Sequence, residues 1–160
     1  MKKKKTIFWI LAIIITLSAA IYQRKTGPTY PKEVDVKISG KKHTLELPRS
    51  HSGTTDFFLK LDLPDHVKGK IFYRRYPTDD AWKSNQLQMK DDKLAAELPG
   101  QPPAGKLEYY IGVFTGNQLI YIAKNQPIRM RFKGEVPMGV LIPHVIIMFM
   151  AMLFSTLAGL

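Results

Sequence analysis

At 160 residues the chain has room for one compact domain plus membrane segments. It contains no cysteine, which excludes disulfide frameworks, thiolate metal sites and thiol nucleophiles. The net charge of +11 invites a nucleic-acid reading, but the placement of the charges opposes it. Six positives, Lys2 to Lys5 with Arg24 and Lys25, flank the first apolar run, whereas all thirteen acids lie between Glu33 and Glu135. Eighteen basic residues, from Lys32 to Lys133, accompany those acids across the domain, a net of +5 with no block of five like charges. No nucleic-acid partner is expected.

Lys2 to Lys5 precede Thr6 to Tyr22, seventeen residues without a charge. Positive residues before an apolar run hold that end in the cytoplasm, so the segment is oriented N-in and the chain beyond it is exported. Two readings fit the segment. A cleaved signal peptide would use Ile7 to Ile15 as its apolar stretch and Ser18-Ala19-Ala20 as its cleavage site. An uncleaved anchor, the preferred reading, would span with Trp9 and Tyr22 near its two ends. Residues 1–5 are then a cytoplasmic basic tail and residues 6–22 the first transmembrane helix. Gln23 to Pro31 reads as a linker, because Gly27, Pro28 and Pro31 stop a helix.

From Val34 to Lys133 the period becomes two. Phe57, Leu59, Leu61 and Leu63 share one face of a run, with Lys60 and Asp62 opposite. Leu94, Ala96 and Leu98 alternate with Lys93, Ala95 and Glu97. Leu107, Tyr109, Ile111 and Val113 alternate with Glu108, Tyr110 and Gly112, and Ile128, Met130 and Phe132 with Arg129, Arg131 and Lys133. Each pattern is that of a strand with one buried and one wet face. Turn residues separate the runs, and Gly116-Asn117 between Val113-Phe114 and Leu119 to Ala123 is a short hairpin signal. Eight or nine strands about ten residues apart, without a helical period, predict an all-β sandwich over residues 32–134.

The stretch Ile71-Phe-Tyr-Arg-Arg-Tyr76, then Trp82 to Met89, Leu94 to Gly100 and Gly105-Lys-Leu-Glu-Tyr-Tyr-Ile111 resembles the middle of a fibronectin type III or related immunoglobulin-like domain. The likeness covers about 60 residues. It implies a corner tyrosine bonded back to the backbone upstream, a place that Tyr109 or Tyr110 would take. It also implies a binding or spacer module, the usual role of such domains.

Enzyme templates are missing: there is no Gly-x-Gly-x-x-Gly, Walker loop, His-Glu-x-x-His or Gly-x-Ser-x-Gly. His51, Ser52 and Asp56 fall in a Ser/Gly/Thr-rich stretch read as a solvated loop. Asp79-Asp80 and Asp91-Asp92 adjoin turns, where Asp is favoured for its local backbone bonds. The candidate partner-binding residues are Phe72, Arg74, Tyr76 and Trp82. With Ile71 and Tyr73 inward, the first three share the exposed face and Trp82 is near in sequence. Arginine and aromatics are the residue types that anchor interfaces. The competing reading places Trp82 and one tyrosine in the core. Arg129, Arg131 and Lys133 precede the second apolar run and are expected near lipid headgroups.

That run, Val136 to Leu160, has no Asp, Glu, Lys or Arg in 25 residues, enough to cross a hydrocarbon core of about 30 Å. About 105 strand-patterned residues could not hide it, so residues 138–160 are expected to be a second transmembrane helix. Pro143 suits a first helical turn, so the span proper is expected to begin there. His144 is its one ionisable group, and with Met148 it is a candidate metal pair, a heme or copper site being the chemistry His and Met would suit. The alternative is an interfacial histidine among packing methionines. Ala151, Ser155 and Gly159 form a candidate helix-packing stripe of small residues. Leu160 falls within the apolar run with no positive residue after it, so a longer polytopic chain is expected.

The sequence therefore predicts an immunoglobulin-like or fibronectin-like sandwich flanked by two transmembrane helices in a bacterial cytoplasmic membrane. The N-terminus is cytoplasmic and the β domain extracytoplasmic. The leading function is a non-enzymatic interaction or accessory module of a larger membrane assembly, with the lipid bilayer and membrane proteins as partners. Alternatives are a metal-handling component using His144 and an extracellular polymer-binding module. No small-molecule ligand is specified, and no cofactor beyond the heme or copper of the alternative.

Overall fold

The computed structural model describes residues 2–115 and 118–160. In chain order these form a helix, eleven strands and a second helix. They are α1 (Lys2–Thr26), β1 (Lys32–Ile38), β2 (Lys41–Leu47), β3 (Ser50–Ser52), β4 (Phe57–Leu61), β5 (Lys68–Arg75) and β6 (Lys83–Gln86). Then come β7 (Gln88–Lys90), β8 (Lys93–Leu98), β9 (Lys106–Thr115), β10 (Gln118–Ile122), β11 (Ile128–Lys133) and α2 (Met138–Gly159). The terminal helices make one compact unit and Pro28–Glu135 makes another.

The β unit is built on β9. Antiparallel β5 runs along one edge of it, from Lys68 opposite Phe114 to Arg75 opposite Leu107. The other edge is divided, with β11 on residues 106–109 and β10 on residues 111–115. β6 extends the sheet beyond β5, and β3 lies parallel to β11, which completes six strands. β4, β8 and β7 form a three-stranded sheet, and β1 with β2 a two-stranded one. Strand alternation turns one face of each sheet inward. Ile38, Leu45 and Leu47 of the hairpin pair and Leu59, Leu61 and Leu98 of the three-stranded sheet join Ile71, Leu107, Ile111, Met130 and Phe132 of the large sheet in one core. The unit is all-β and sandwich-like.

The strand count exceeds the eight or nine expected because β3, β6 and β7 are only three or four residues long. The stretch from Trp82 to Met89 divides at Leu87, whose amide donates to the Gly69 carbonyl (2.9 Å). Residues before that point pair with β5 and residues after it with β8, so the segment passes between layers. The Gly116-Asn117 turn lies outside the described residues, but β9 and β10 pair antiparallel on either side of it. Close approach fixes one glycine: a Cβ on Gly100 would lie 2.1 Å from the Thr54 carbonyl oxygen. The Gly100 amide donates to Asp56 Oδ1 (2.7 Å), tying this connection to the chain entering β4.

Tyr109 is fully buried, and its hydroxyl donates to the Pro48 carbonyl (2.9 Å) 61 residues upstream. A tyrosine bonded to the backbone upstream is what the resemblance implied for Tyr109 or Tyr110, and Tyr109 makes that bond over a long span of sequence. Tyr110 belongs to the opposite face of β9.

In the helical unit, Ala12 and Thr16 of α1 are buried. They face a seam of half-buried residues on α2: Phe149, Met152, Leu153, Thr156 and Leu157. Trp9 meets Phe154 edge to face with centroids 6.4 Å apart. Both helices are long and apolar enough to cross a membrane, through Lys5–Thr26 and Met138–Gly159, 22 residues each. That is about 33 Å of rise apiece.

Two details differ from expectation, and a third concerns the small-residue stripe. α1 continues to Thr26, so the predicted linker begins with helical residues. Gln23, Arg24 and Lys25 are adequate helix formers, and two positives suit a helix C-terminus. Pro143 lies inside α2, which begins at Met138 after Pro137 and so already supplies a proline stop ahead of it. The seam with α1 is formed by larger side chains of α2, while Ala151, Ser155 and Gly159, the stripe expected to pack a helix, are exposed outside it.

Candidate functional site

The outer face of the six-stranded sheet gathers the residues of interest. Alternation along β5 and β9, in the observed register, sets Phe72 opposite Tyr110 and Arg74 opposite Glu108. Tyr121 of β10 is opposite Gly112, and Arg129 of β11 is opposite Glu108. The Phe72 and Tyr110 rings stack with centroids 4.8 Å apart and planes 9° from parallel. Trp82 meets Tyr110 edge-on at 4.8 Å, and Tyr121 does so at 6.0 Å from the other side. Gly112 makes this cluster possible, because a Cβ there would meet both Phe72 and Tyr121 at 3.3 Å. Burial, and secondarily the neighbouring Tyr121, raises the Tyr110 phenol above its ordinary pKa.

Beside the aromatics lies a charged row. Arg74 Nε donates to Glu108 Oε1, and its guanidinium stands 4.7 Å from the Trp82 ring centroid. Glu108 is buried, so this pair satisfies a carboxylate with little access to water. Arg129 covers the Tyr76 ring at 4.2 Å, and Lys124 covers Tyr121 at 3.9 Å. At the rim, Arg75 Nε donates to Asp80 Oδ2 (2.8 Å), and that bond holds the Asp80 carboxyl below its ordinary pKa.

All four sequence-selected residues meet here. Phe72, Arg74, Tyr76 and Trp82 are half-buried on one surface. The alternative core role for a tyrosine goes to Tyr109, while Trp82 keeps a solvent-facing side. Glu108, Tyr110, Tyr121 and Arg129 belong to the same surface and were not selected from sequence. Glu108, Tyr110 and Arg129 already stood on the wet faces of their runs, but only the pairing register makes them neighbours of Phe72 and Arg74.

The other candidates separate. The His51 ring lies between Phe57 (5.0 Å) and Phe132 (5.4 Å), while the Asp56 carboxylate serves the Gly100 amide. These residues form no nucleophile–base pair with Ser52. His144 and Met148 are both exposed, one turn apart on α2. Among the described residues no group of three or more His, Cys, Asp or Glu could hold a metal ion. A groove of about 480 Å³ between Phe58, Ser84, Asn85, Gln88 and Ala95 is rich in amides. The Lys90 ammonium stands 3.2 Å from the Phe58 ring centroid there, so the face a sugar would stack on is occupied.

The chain matches no family model, and no curated protein is significantly similar to it in sequence. Its class is set by architecture alone: a sandwich-like β domain flanked by two helices long and apolar enough to cross a membrane.

Proposed function

We propose that the protein is a membrane-anchored, non-enzymatic interaction module. In this reading α1 and α2 both span a bacterial cytoplasmic membrane, the N-terminus is cytoplasmic, and the β domain stands outside as an immunoglobulin-like or fibronectin-like sandwich. The domain positions or recognises a component of a larger membrane assembly. One observation carries the reading. The solvent face of the six-stranded sheet bears Phe72, Phe114, Leu119, Tyr121 and Trp82, where a free-standing sandwich would alternate to polar residues. Aromatic residues and arginine are what protein interfaces concentrate. On the same face Arg74 and Glu108 pair with each other beside the aromatics.

Purification of the full chain from native membranes in mild detergent, at native expression level, tests this. The expected result is a stable complex with another membrane component, larger than the protein and its detergent alone. A monodisperse, unaccompanied monomer would overturn the proposal.

A further inference from the structure

The outer face of the large sheet also specifies the chemistry of what covers it. We infer that its partner is a protein surface combining acidic and aliphatic residues, an inference that rests on the interaction-module reading above. The centre of the face is apolar. Phe114 is paired with Leu119 and, with Tyr121, forms a patch in which each residue is more than 40% exposed. Cations border this patch at both ends. Lys68 and Lys70 of β5 stand opposite Phe114 and Gly112, while Lys106, Arg129 and Arg131 lie at the other end of the same face. These five cations are exposed. Of the acids nearby, Glu108 is buried and committed to Arg74, and Asp79, which lines the same hollow as Arg129, offsets only part of the rim charge.

An apolar centre with a border in which cations outnumber acids favours a partner with apolar side chains at its middle and carboxylates around them. A second copy would bring like charges together and is disfavoured. Stacked ligands such as sugars or bases are disfavoured as well. Phe72 and Tyr110 stack on each other, and Tyr76 and Tyr121 are covered by Arg129 and Lys124. The area suits a protein. Five strand positions at about 4.8 Å and roughly ten residues of strand length give on the order of 600 Å². Projecting side chains bring this near the roughly 800 Å² per partner of a standard interface.

The test places a photo-crosslinking amino acid at Leu119 or Phe114 of the full chain in native membranes and identifies the adduct by mass spectrometry. The expected adduct is a peptide of another protein rich in Asp or Glu with Leu, Ile or Val. Its yield should fall about tenfold in Lys68→Glu/Lys70→Glu or Arg129→Glu/Arg131→Glu, and also in about 0.5 M salt. The control Lys37→Glu/Lys41→Glu, on the β1–β2 hairpin, should leave it unchanged. Far-UV circular dichroism of each variant confirms folding, and the two charge-reversal pairs are independent of each other. An adduct to a basic peptide, to lipid, to polysaccharide or to a second copy overturns the inferred chemistry and leaves the module reading intact. Failure to crosslink while a complex still co-purifies overturns this face as the contact. Absence of any co-purifying component overturns both.

Discussion

Tyr109 shows how one residue ties the sandwich-like unit together. Its ring fills the core from β9, and its hydroxyl satisfies the Pro48 carbonyl between β2 and β3. Burial pushes the phenol far above its ordinary value of 10.0, because the interior disfavours tyrosinate. A group with a raised folded-state pKa contributes stability that is complete below the unfolded pKa and is lost as pH rises past it. Tyr109 therefore contributes fully up to about pH 10 and subtracts about 1.4 kcal/mol per unit above it. Tyr109→Phe removes both effects. At pH 8 the variant should be less stable by about 1 kcal/mol, the usual cost of a lost buried hydrogen bond. By pH 11 the difference should vanish or reverse. Urea titrations of the full chain in detergent, followed by near-UV circular dichroism, measure both limits. A variant gap that stays constant with pH would show that the phenol does not resist ionisation.

At the scale of elements, the connections carry as much of the structure as the strands. Gly100 follows β8 where the chain turns toward β9, and its amide is held by Asp56 beside a Thr54 carbonyl that leaves no room for a methyl group. Gly100→Ala should cost about 2–4 kcal/mol, because backbone cannot yield as a flexible side chain does. For a unit of this size that lowers Tm by roughly 10 °C or more. A shift under a few degrees in a thermal melt would mean that the connection relaxes freely. The helices follow a similar logic. Ala12 and Thr16 let α1 approach closely, and α2 answers with Phe149, Met152 and Leu153. The exposed side of α2 keeps Ala151, Ser155 and Gly159 free of α1.

For the molecule as a whole, the arrangement of charge should set topology. Lysines at the start of α1 favour a cytoplasmic N-terminus, and an exported segment longer than about 60 residues crosses with little regard to its own charge. Because the chain has no cysteine, a single introduced thiol is the only one that can be labelled. In intact cells an impermeant maleimide should label Lys37→Cys and spare Lys5→Cys, with Lys5→Cys labelled only after permeabilisation. The opposite pattern would place the β domain inside. If the domain is exported, the aromatic face with its cationic rim confronts other envelope components, as an assembly module requires.

Features that depend on local pattern are legible in the residues alone. A charge-free run long enough to span is visible in composition, because length and hydropathy need no knowledge of neighbours. The inward sets Leu59 and Leu61, Leu107 and Ile111, and Met130 and Phe132 follow from the two-residue period of a strand. Phe72, Arg74 and Tyr76 could be found because they alternate along β5 and the residue just past its end. Partners across strands were out of reach. Register and strand order bring Tyr110, Glu108, Tyr121 and Arg129 to those residues from positions more than 30 apart in the chain. The same holds for the division of β6 from β7, the Tyr109 tether to Pro48 and the choice of large over small residues in the helix seam. Each is settled by which surfaces meet, and that is fixed only when the whole chain minimises its exposed apolar area and pairs its backbone at once.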